Sequence, residues 1–271
     1  MVDVHRETNL FARARLCLLA KDPRDKLSQV KALARDWISG KLDIRPLPLP
    51  ELVTPGQPPR PDLVHPRELP RRSLVTDKGR QAFIHALAHI EFNAINLACD
   101  ALCRFRDMPS AYYDDWVRIA SEEAGHFLLL QSRLRAEGCD YGDLPGHNGL
   151  WDMAMRTAHD PLARMALVPR MLEARGLDVT PGMIERFRAL KNRPMVEILS
   201  RILADEIGHV EAGSRWFRYL CDQRAIDPEN TFFDLLESVG SGEIRCPLNL
   251  DARRQAGFSD VELARLQRLC R

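Results

Sequence analysis

One five-residue pattern occurs twice in this chain and constrains its fold more than any other feature. EEAGH stands at residues 122–126 and DEIGH at residues 205–209, so each copy has an acid, a Glu, a variable residue, a Gly and a His. On a helix, Glu and His three positions apart leave the same face about one turn apart. Each copy therefore predicts a helix that presents a carboxylate and an imidazole as a chelating pair.

Both pairs interrupt apolar stripes of helical period. The stripe around the first pair includes Ile119 and Leu130, and the stripe around the second includes Ile202 and Trp216. An ionised carboxylate in an apolar interior is costly unless it is paired or binds a metal. A hydrogen-bonded contact would explain one such pair, but two copies in the same phase indicate a shared metal site.

Two further glutamates match the remaining ligands of a dinuclear site. A four-helix bundle that binds two metals supplies one Glu from each of two helices and a Glu-x-x-His from each of the other two. Glu91 precedes the first pair and Glu173 the second by nearly the same number of residues. Two antiparallel helix hairpins would bring each Glu level with its partner pair.

The second hairpin is less regular than the first, so its Glu ligand has a competitor. Pro169 would break one helical hydrogen bond just before Glu173, and residues 176–181 are expected to interrupt the helix. Glu185 is the alternative, but it lies closer to the turn between the two helices than Glu206 does, so the two would not be level. Glu173 has the opposite mismatch, because it lies farther from the turn than Glu206 does. It is favoured because the expected interruption at residues 176–181 would shorten its arm.

The chain is expected to form one helical domain with three segments. Residues 1–75 would hold two short helices and a Pro-rich strap, residues 76–225 the four-helix bundle, and residues 226–271 a helical extension packed on it. Half of the 18 prolines lie between residues 44 and 72, which excludes helix and central strand there. That segment is an extended strap along the bundle or a free linker.

Several helix boundaries follow from capping signals. The first hairpin is expected over residues 77–106 and 111–138. Asp22-Pro23 is expected to start an earlier helix. Ser259 and Glu262 are expected to form a capping box for the last helix. Seven scattered cysteines without a Cys-x-x-Cys indicate neither a zinc site nor a disulfide framework.

Composition and charge point to a cytoplasmic protein without a membrane partner. The chain is 45% hydrophobic and 28% charged with a net charge of +1, and its longest apolar stretch near the start is too short for a membrane span. Residues 1–80 carry 16 Lys and Arg against 10 Asp and Glu. This basic region could contact RNA or an acidic partner, although a solvated surface is the preferred interpretation.

Other residues near the motifs have weaker functional interpretations. His85 and His89 could chelate a metal, but their face lies far from Glu91. The acids that open the two motifs, Glu122 and Asp205, are either orienting partners of the imidazoles or surface acids. Four aromatic residues could be redox-active but are expected in the core: Tyr112, Tyr113, Trp116 and Trp216. The two motif glycines, Gly125 and Gly208, are expected to permit close packing of helices.

The motifs together resemble a known group of proteins. HIE at residues 89–91, EEAGH at residues 122–126 and DEIGHV at residues 205–210 resemble the ferritin-like superfamily of carboxylate-bridged di-iron proteins. More narrowly, they are similar to a bacterial ferritin-like family of unknown function that also has a Pro-rich lead-in. The resemblance implies an all-α fold, a ferritin-like four-helix bundle with additional N- and C-terminal helices.

The resemblance also implies a ligand set. Glu123 with His126 and Glu206 with His209 would hold one metal each or bridge, and Glu91 and Glu173 would complete the set. The four glutamates would also be the catalytic residues. Carboxylate and imidazole ligands without thiolate suit two iron ions, with manganese or a mixed iron and manganese pair as alternatives.

The reaction is not specified by the motif, because one site on this fold serves several chemistries. The leading expectation is an oxidase or monooxygenase that uses O2, an unidentified small organic substrate and a reductase, acting as a monomer or homodimer. The long extensions at both ends could shape a substrate pocket. Alternatives are a tRNA-base hydroxylase, a ferroxidase or iron store without an organic substrate, and an interaction scaffold that has lost catalysis.

Overall fold

The computed structural model describes residues 7–50, 54–69, 73–240 and 244–270. Within these ranges the chain is all-helical, and its extended pairing is limited to three isolated bridges. Contacts divide the chain into two compact units, Met1–Trp151 and Asp152–Arg271. The predicted division into three segments, with boundaries at residues 75 and 225, is drawn from sequence patterns and not from contacts, and it stays a prediction.

The first unit contains four of the helices. They are α1 (Leu10–Leu19), α2 (Pro23–Ile38), α3 (Asp77–Arg104) and α4 (Ser110–Ala136). The side chains of Asn9, Asp22 and Thr76 cap the first three by accepting a backbone N–H of the first turn. The predicted hairpin of α3 and α4 is confirmed within two residues at each end.

The Pro-rich strap is tied to the first unit by backbone hydrogen bonds. Gly56 N donates to Leu18 O at 2.8 Å, and Val64 N donates to Gly146 O at 2.9 Å. Apart from one turn of 3-10 helix at Pro66–Glu68, its described residues are irregular or extended. These contacts agree with a strap rather than a free linker. Parts of it, at residues 51–53 and 70–72, lie outside the described residues.

The second unit begins within α5 (Gly149–Arg156), a short helix that crosses the boundary between the units. A second hairpin follows, in which α6 (Pro161–Leu167), a π-helical turn (Val168–Glu173) and α7 (Ala174–Ala189) form one continuous arm. The long helix α8 (Arg193–Gln223) is the other arm. The end of the chain forms α9 (Pro228–Ser238), α10 (Leu250–Gln255) and α11 (Asp260–Arg268).

The predicted interruption at residues 176–181 is wrong. Helix α7 runs through these residues with Pro181 inside it. The irregularity lies earlier, in the π turn that contains Pro169, because proline cannot donate the helical hydrogen bond and the wider turn accommodates it. The proline ring packs against Gly213 of α8. A Cβ added at Gly213 would overlap the Cβ and Cγ atoms of Pro169.

The C-terminal segment differs from expectation at one covalent link. Cys246 and Cys270 form a disulfide with their Cα atoms 5.5 Å apart, although the scattered cysteines indicated no disulfide. The pairing depends on tertiary structure, since Ile244 N donates to Leu269 O at 3.4 Å beside it. The predicted Ser259–Glu262 capping box is confirmed.

Two further sequence expectations concern the interior and the membrane. The four aromatic residues expected in the core are buried: Tyr112, Tyr113, Trp116 and Trp216. In the described part of the chain, no helix is both long and apolar enough to cross a bilayer.

Candidate metal centre

The first Glu-x-x-His motif lies on α4 and faces α3 inside the first unit. Glu91, Glu123 and His126 are 4%, 1% and 0% exposed. The Nδ1 atom of His126 lies 3.2 Å from Oε2 of Glu91 and 3.3 Å from Oε2 of Glu123. One candidate ligand atom from each of the three residues lies within 4.8 Å of the others. The spacing is short enough for one cation to contact all three.

This cluster forms because the two helices pack along their apolar stripes. Ile84 and Ile95 of α3 and Ile119 and Leu130 of α4 are buried on either side of it. Residues at helical spacing on a packed stripe point into the interface whatever their polarity. The stripe therefore carries two carboxylates and one imidazole into an interior that offers little solvation.

The electrostatics of the cluster show a demand for positive charge. Burial, and then the neighbouring charge of Glu123, raise the pKa of Glu91 well above its usual range. Burial opposes the charged form of His126, but hydrogen bonds to Glu123 and Glu91 outweigh it and raise the pKa of His126 to about 11. Two adjacent buried carboxylates need compensation, which either an imidazolium or a divalent cation provides.

The three residues fit a metal ion by the chemistry of their donor atoms. Carboxylate oxygen and imidazole nitrogen without sulfur suit iron and manganese among the transition metals. Their burial excludes bulk water from the ligands.

The second motif lies on α8 in the second unit. Oε2 of Glu206 is 3.7 Å from Nδ1 of His209, and the side chains are 13% and 1% exposed. The two groups therefore share one face of α8, as the spacing predicted. Glu173 is half-buried and is the last residue of the π turn. Single π turns inside helices occur frequently at functional sites.

The geometry favours Glu173 over Glu185 as a ligand. The Glu185 side chain is 67% exposed and forms an ion pair with Arg188 one turn further along α7. A carboxylate in that position is solvated and needs no cation. The six-residue set as a whole, Glu91, Glu123, His126, Glu173, Glu206 and His209, stays a prediction.

The acids that open the two motifs lie towards solvent. Glu122 is 29% exposed and accepts from Arg118 at 2.7 Å, and Asp205 is 30% exposed with Arg201 at 3.7 Å. Each pair spans one helical turn, which is an ordinary surface arrangement. This placement supports the interpretation of both as surface acids.

The packing role expected for Gly125 is wrong. A Cβ added at Gly125 would meet no atom within 4 Å, so no neighbouring helix requires a glycine there. In the second unit a small residue is required at Gly213, which packs against the ring of Pro169.

The two histidines of α3 outside the motif hold a loop. Gly142 N donates to Nε2 of His85 at 3.0 Å, while Nδ1 of His89 lies 3.0 Å from the Tyr141 hydroxyl and its Nε2 lies 3.1 Å from the carbonyl of His147. Burial lowers the pKa of His89 to about 4, so the ring is neutral. Ring nitrogens of both histidines are thus used in holding the loop. This agrees with the expectation that metal binding is the less favoured role for them.

Sequence reasoning missed Tyr141, which packs against the chain neighbours of two candidate ligands. Its ring packs against Phe92 and Phe127 with centroids 5.3 and 5.0 Å apart, and these two residues are the chain neighbours of Glu91 and His126. The only available signal was the loop itself, where three glycines at 142, 146 and 149 surround polar residues.

Comparison with known proteins identifies a family but no function. An uncharacterized protein of Haemophilus influenzae is 47% identical over 198 residues, which cover 70% of this chain and 69% of the relative. No solved structure matches the chain. A family model described as "Protein of unknown function (DUF455)" matches residues 19–264. The chain therefore belongs to the DUF455 family.

Proposed function

We propose that this protein is a non-haem metalloprotein whose resident metal is bound by Glu91, Glu123 and His126. The observation that supports the proposal is the burial of two carboxylates together with an imidazole that lies within hydrogen-bond distance of both. A purely structural cluster of this kind is costly to bury, because removing each charge from water costs several kcal/mol even when the charges are paired.

We further propose a dinuclear site on a ferritin-like bundle, completed by Glu173, Glu206 and His209. The support is the repeat itself. Each unit contains a helix hairpin with a Glu on the first arm and a Glu-x-x-His on the second, which is the ligand pattern of dinuclear four-helix bundles.

The proposed reaction is an O2-dependent oxidation of a small organic substrate, with two iron ions, or iron with manganese, as cofactor. Bound iron(II) would supply electrons for the reduction of O2. The protein's own part is to hold the ligands in a dry interior, where Glu91 and Glu123 would balance the metal charge. His126 would give up its proton on metal binding and offer one ring nitrogen. A reductase would return the electrons.

Metal content tests the centre directly. Protein purified without chelator and analysed for elements should contain close to two iron or manganese ions per chain. Glu123→Ala should lose most of this metal. Glu122→Ala is the matched control, because this neighbouring acid pairs with Arg118 at the surface, and it should keep the wild-type content. Metal-free wild type after anaerobic loading with iron(II), or equal loss in both variants, would refute the metal centre.

Oxygen consumption tests the reaction class. Iron-loaded protein supplied with a reductant and a library of small organic acids, amines and alcohols should consume O2 in proportion to an oxidised organic product. Oxidation of added iron(II) alone, with no substrate-dependent O2 uptake, would instead indicate an iron-handling protein.

A further inference from the structure

A cavity of about 220 Å³ in the second unit is lined by an excess of positive charge. Arg170, Arg175, Arg245 and Arg253 line it, whereas Asp178 is the one acid among its lining residues. Arg170 lies on the π turn. Arg245 precedes Cys246, which the disulfide links to Cys270.

The two deep arginines are neutralised by carboxylates. Arg253 donates from Nε and Nη2 to the two oxygens of Asp178 at 2.9 and 2.7 Å. Arg170 donates from Nη2 to Glu262 at 2.6 Å and from Nε to Ser214 at 3.2 Å. Its guanidinium also lies within 4.7 Å of three aromatic ring centroids, those of Phe217, Phe232 and Phe258. These groups form a rigid floor.

The two arginines at the mouth carry the uncompensated charge. Arg175 and Arg245 are exposed, and neither forms an ion pair with the residues that the structure describes. Although Arg175 is exposed, the cavity wall partly desolvates its guanidinium. This desolvation, and then the charge of Arg245, lower the pKa of Arg175, so the two guanidiniums repel each other. A bound anion would relieve this repulsion.

The rest of the cavity wall is apolar. Met171, Leu172, Phe232, Leu236, Ile244 and Leu266 provide it. A site that is apolar with a few convergent charged groups is typical of a small-molecule pocket. Its volume is smaller than the roughly 300 Å³ at which pockets for drug-sized ligands begin, which limits the apolar part of a ligand to about one ring.

We infer that this cavity binds the phosphate monoester of a small apolar or aromatic group. Arg175 and Arg245 pair with the phosphate, and the apolar part lies against Phe232, Leu236 and Leu266. A phosphate monoester is preferred over a carboxylate because its second negative charge matches two unpaired guanidiniums, which bind phosphate oxygens bidentately. The inference does not depend on the proposed metal centre.

Calorimetric titration of the full-length protein with phenyl phosphate tests the site. Saturable binding with one site per chain is expected, at least ten-fold tighter than inorganic phosphate and absent with phenol. Arg175→Gln and Arg245→Gln should each weaken phenyl phosphate at least ten-fold. Arg188→Gln is the matched control, since Arg188 is an exposed arginine on the same helix as Arg175 and lies outside the cavity, and it should bind like wild type.

Two further measurements separate the site from other sources of phosphate binding. Leu236→Ala should weaken phenyl phosphate but leave inorganic phosphate unchanged. Titrations before and after treatment with a chelator should agree, because the proposed site consists of arginines and apolar side chains. Phosphate bound through a metal ion would instead lose its site on chelation. No saturable binding, equal affinity for inorganic phosphate, equal loss in Arg188→Gln, or binding that chelation abolishes would each overturn the inference.

Discussion

Lys26 lies fully buried in the first unit with its ammonium group satisfied by oxygens alone. Nζ donates to the carbonyls of Cys17 and Leu18 at 2.9 Å each and to Oδ1 of Asn96 at 2.8 Å. The residue occupies the apolar stripe of α2, four positions before the buried Val30. The sequence could not predict this burial, because the three acceptors come from α1 and α3, and a lysine is almost never fully buried without such partners.

The same residue gives the protein a specific pH dependence. Burial lowers the pKa of Lys26 from 10.5 to about 8. The unfolded chain therefore binds a proton between pH 10.5 and pH 8 that the folded protein does not bind, so the free energy of unfolding falls as pH falls through this window and is constant below it. Lys26→Met removes this contribution, and its destabilisation should be about 2 kcal/mol larger at pH 10 than at pH 7.5.

Urea unfolding at the two pH values measures this difference. Lys31→Met, an exposed lysine on the same helix, is the matched control for removing one positive charge from α2. A destabilisation by Lys26→Met that does not change with pH would contradict the prediction.

At the scale of helices, local sequence signals worked where the helix is regular. The bounds of α3 and α4 and the capping box of α11 follow from caps, turns and apolar period, which are local properties. In the arm that contains Pro169, the expected loss of a helical hydrogen bond at the proline agrees with the π turn, but the expected interruption at residues 176–181 is wrong. The position of the π turn depends on α8, where Gly213 leaves room for the proline ring.

This packing predicts opposite effects of alanine at two helix-interior glycines. Gly213→Ala should destabilise the protein by about 1–3 kcal/mol, because the new Cβ would overlap Pro169 and force the arm apart. Gly125→Ala should be neutral or stabilising by up to about 1 kcal/mol, since its Cβ meets no atom and alanine favours helix. Chemical denaturation of both variants gives the comparison.

Adding Pro169→Ala tests the cause. In the Gly213→Ala background this second change should recover part of the lost stability, because it removes the ring atoms that the new Cβ meets. Strictly additive losses from the two substitutions would show that the overlap with Pro169 is not the source of the destabilisation.

At the scale of the whole molecule, the predicted ligands are divided between the two units. Glu91, Glu123 and His126 belong to the first, and the other three belong to the second. The repeated motif predicted both local pairs from helical spacing alone. It could not predict the cavity with four arginines, since these residues are scattered from 170 to 253 and show no period. Nor could it predict the disulfide, which depends on how the C-terminal end folds back.

A metal shared by both motifs predicts that substitution in either unit weakens the same thermal shift. Manganese(II) at about 100 times its dissociation constant should stabilise the folded protein by about 2.7 kcal/mol, because it binds the folded state alone. Scanning calorimetry should show a rise in Tm that is strongly reduced in both Glu123→Ala and Glu206→Ala. Asp205→Ala is the matched control, since this neighbouring acid is partly exposed beside Arg201. A Glu206→Ala protein with the full wild-type shift would confine the metal to Glu91, Glu123 and His126, and the dinuclear proposal would then fail while a mononuclear centre in the first unit would remain.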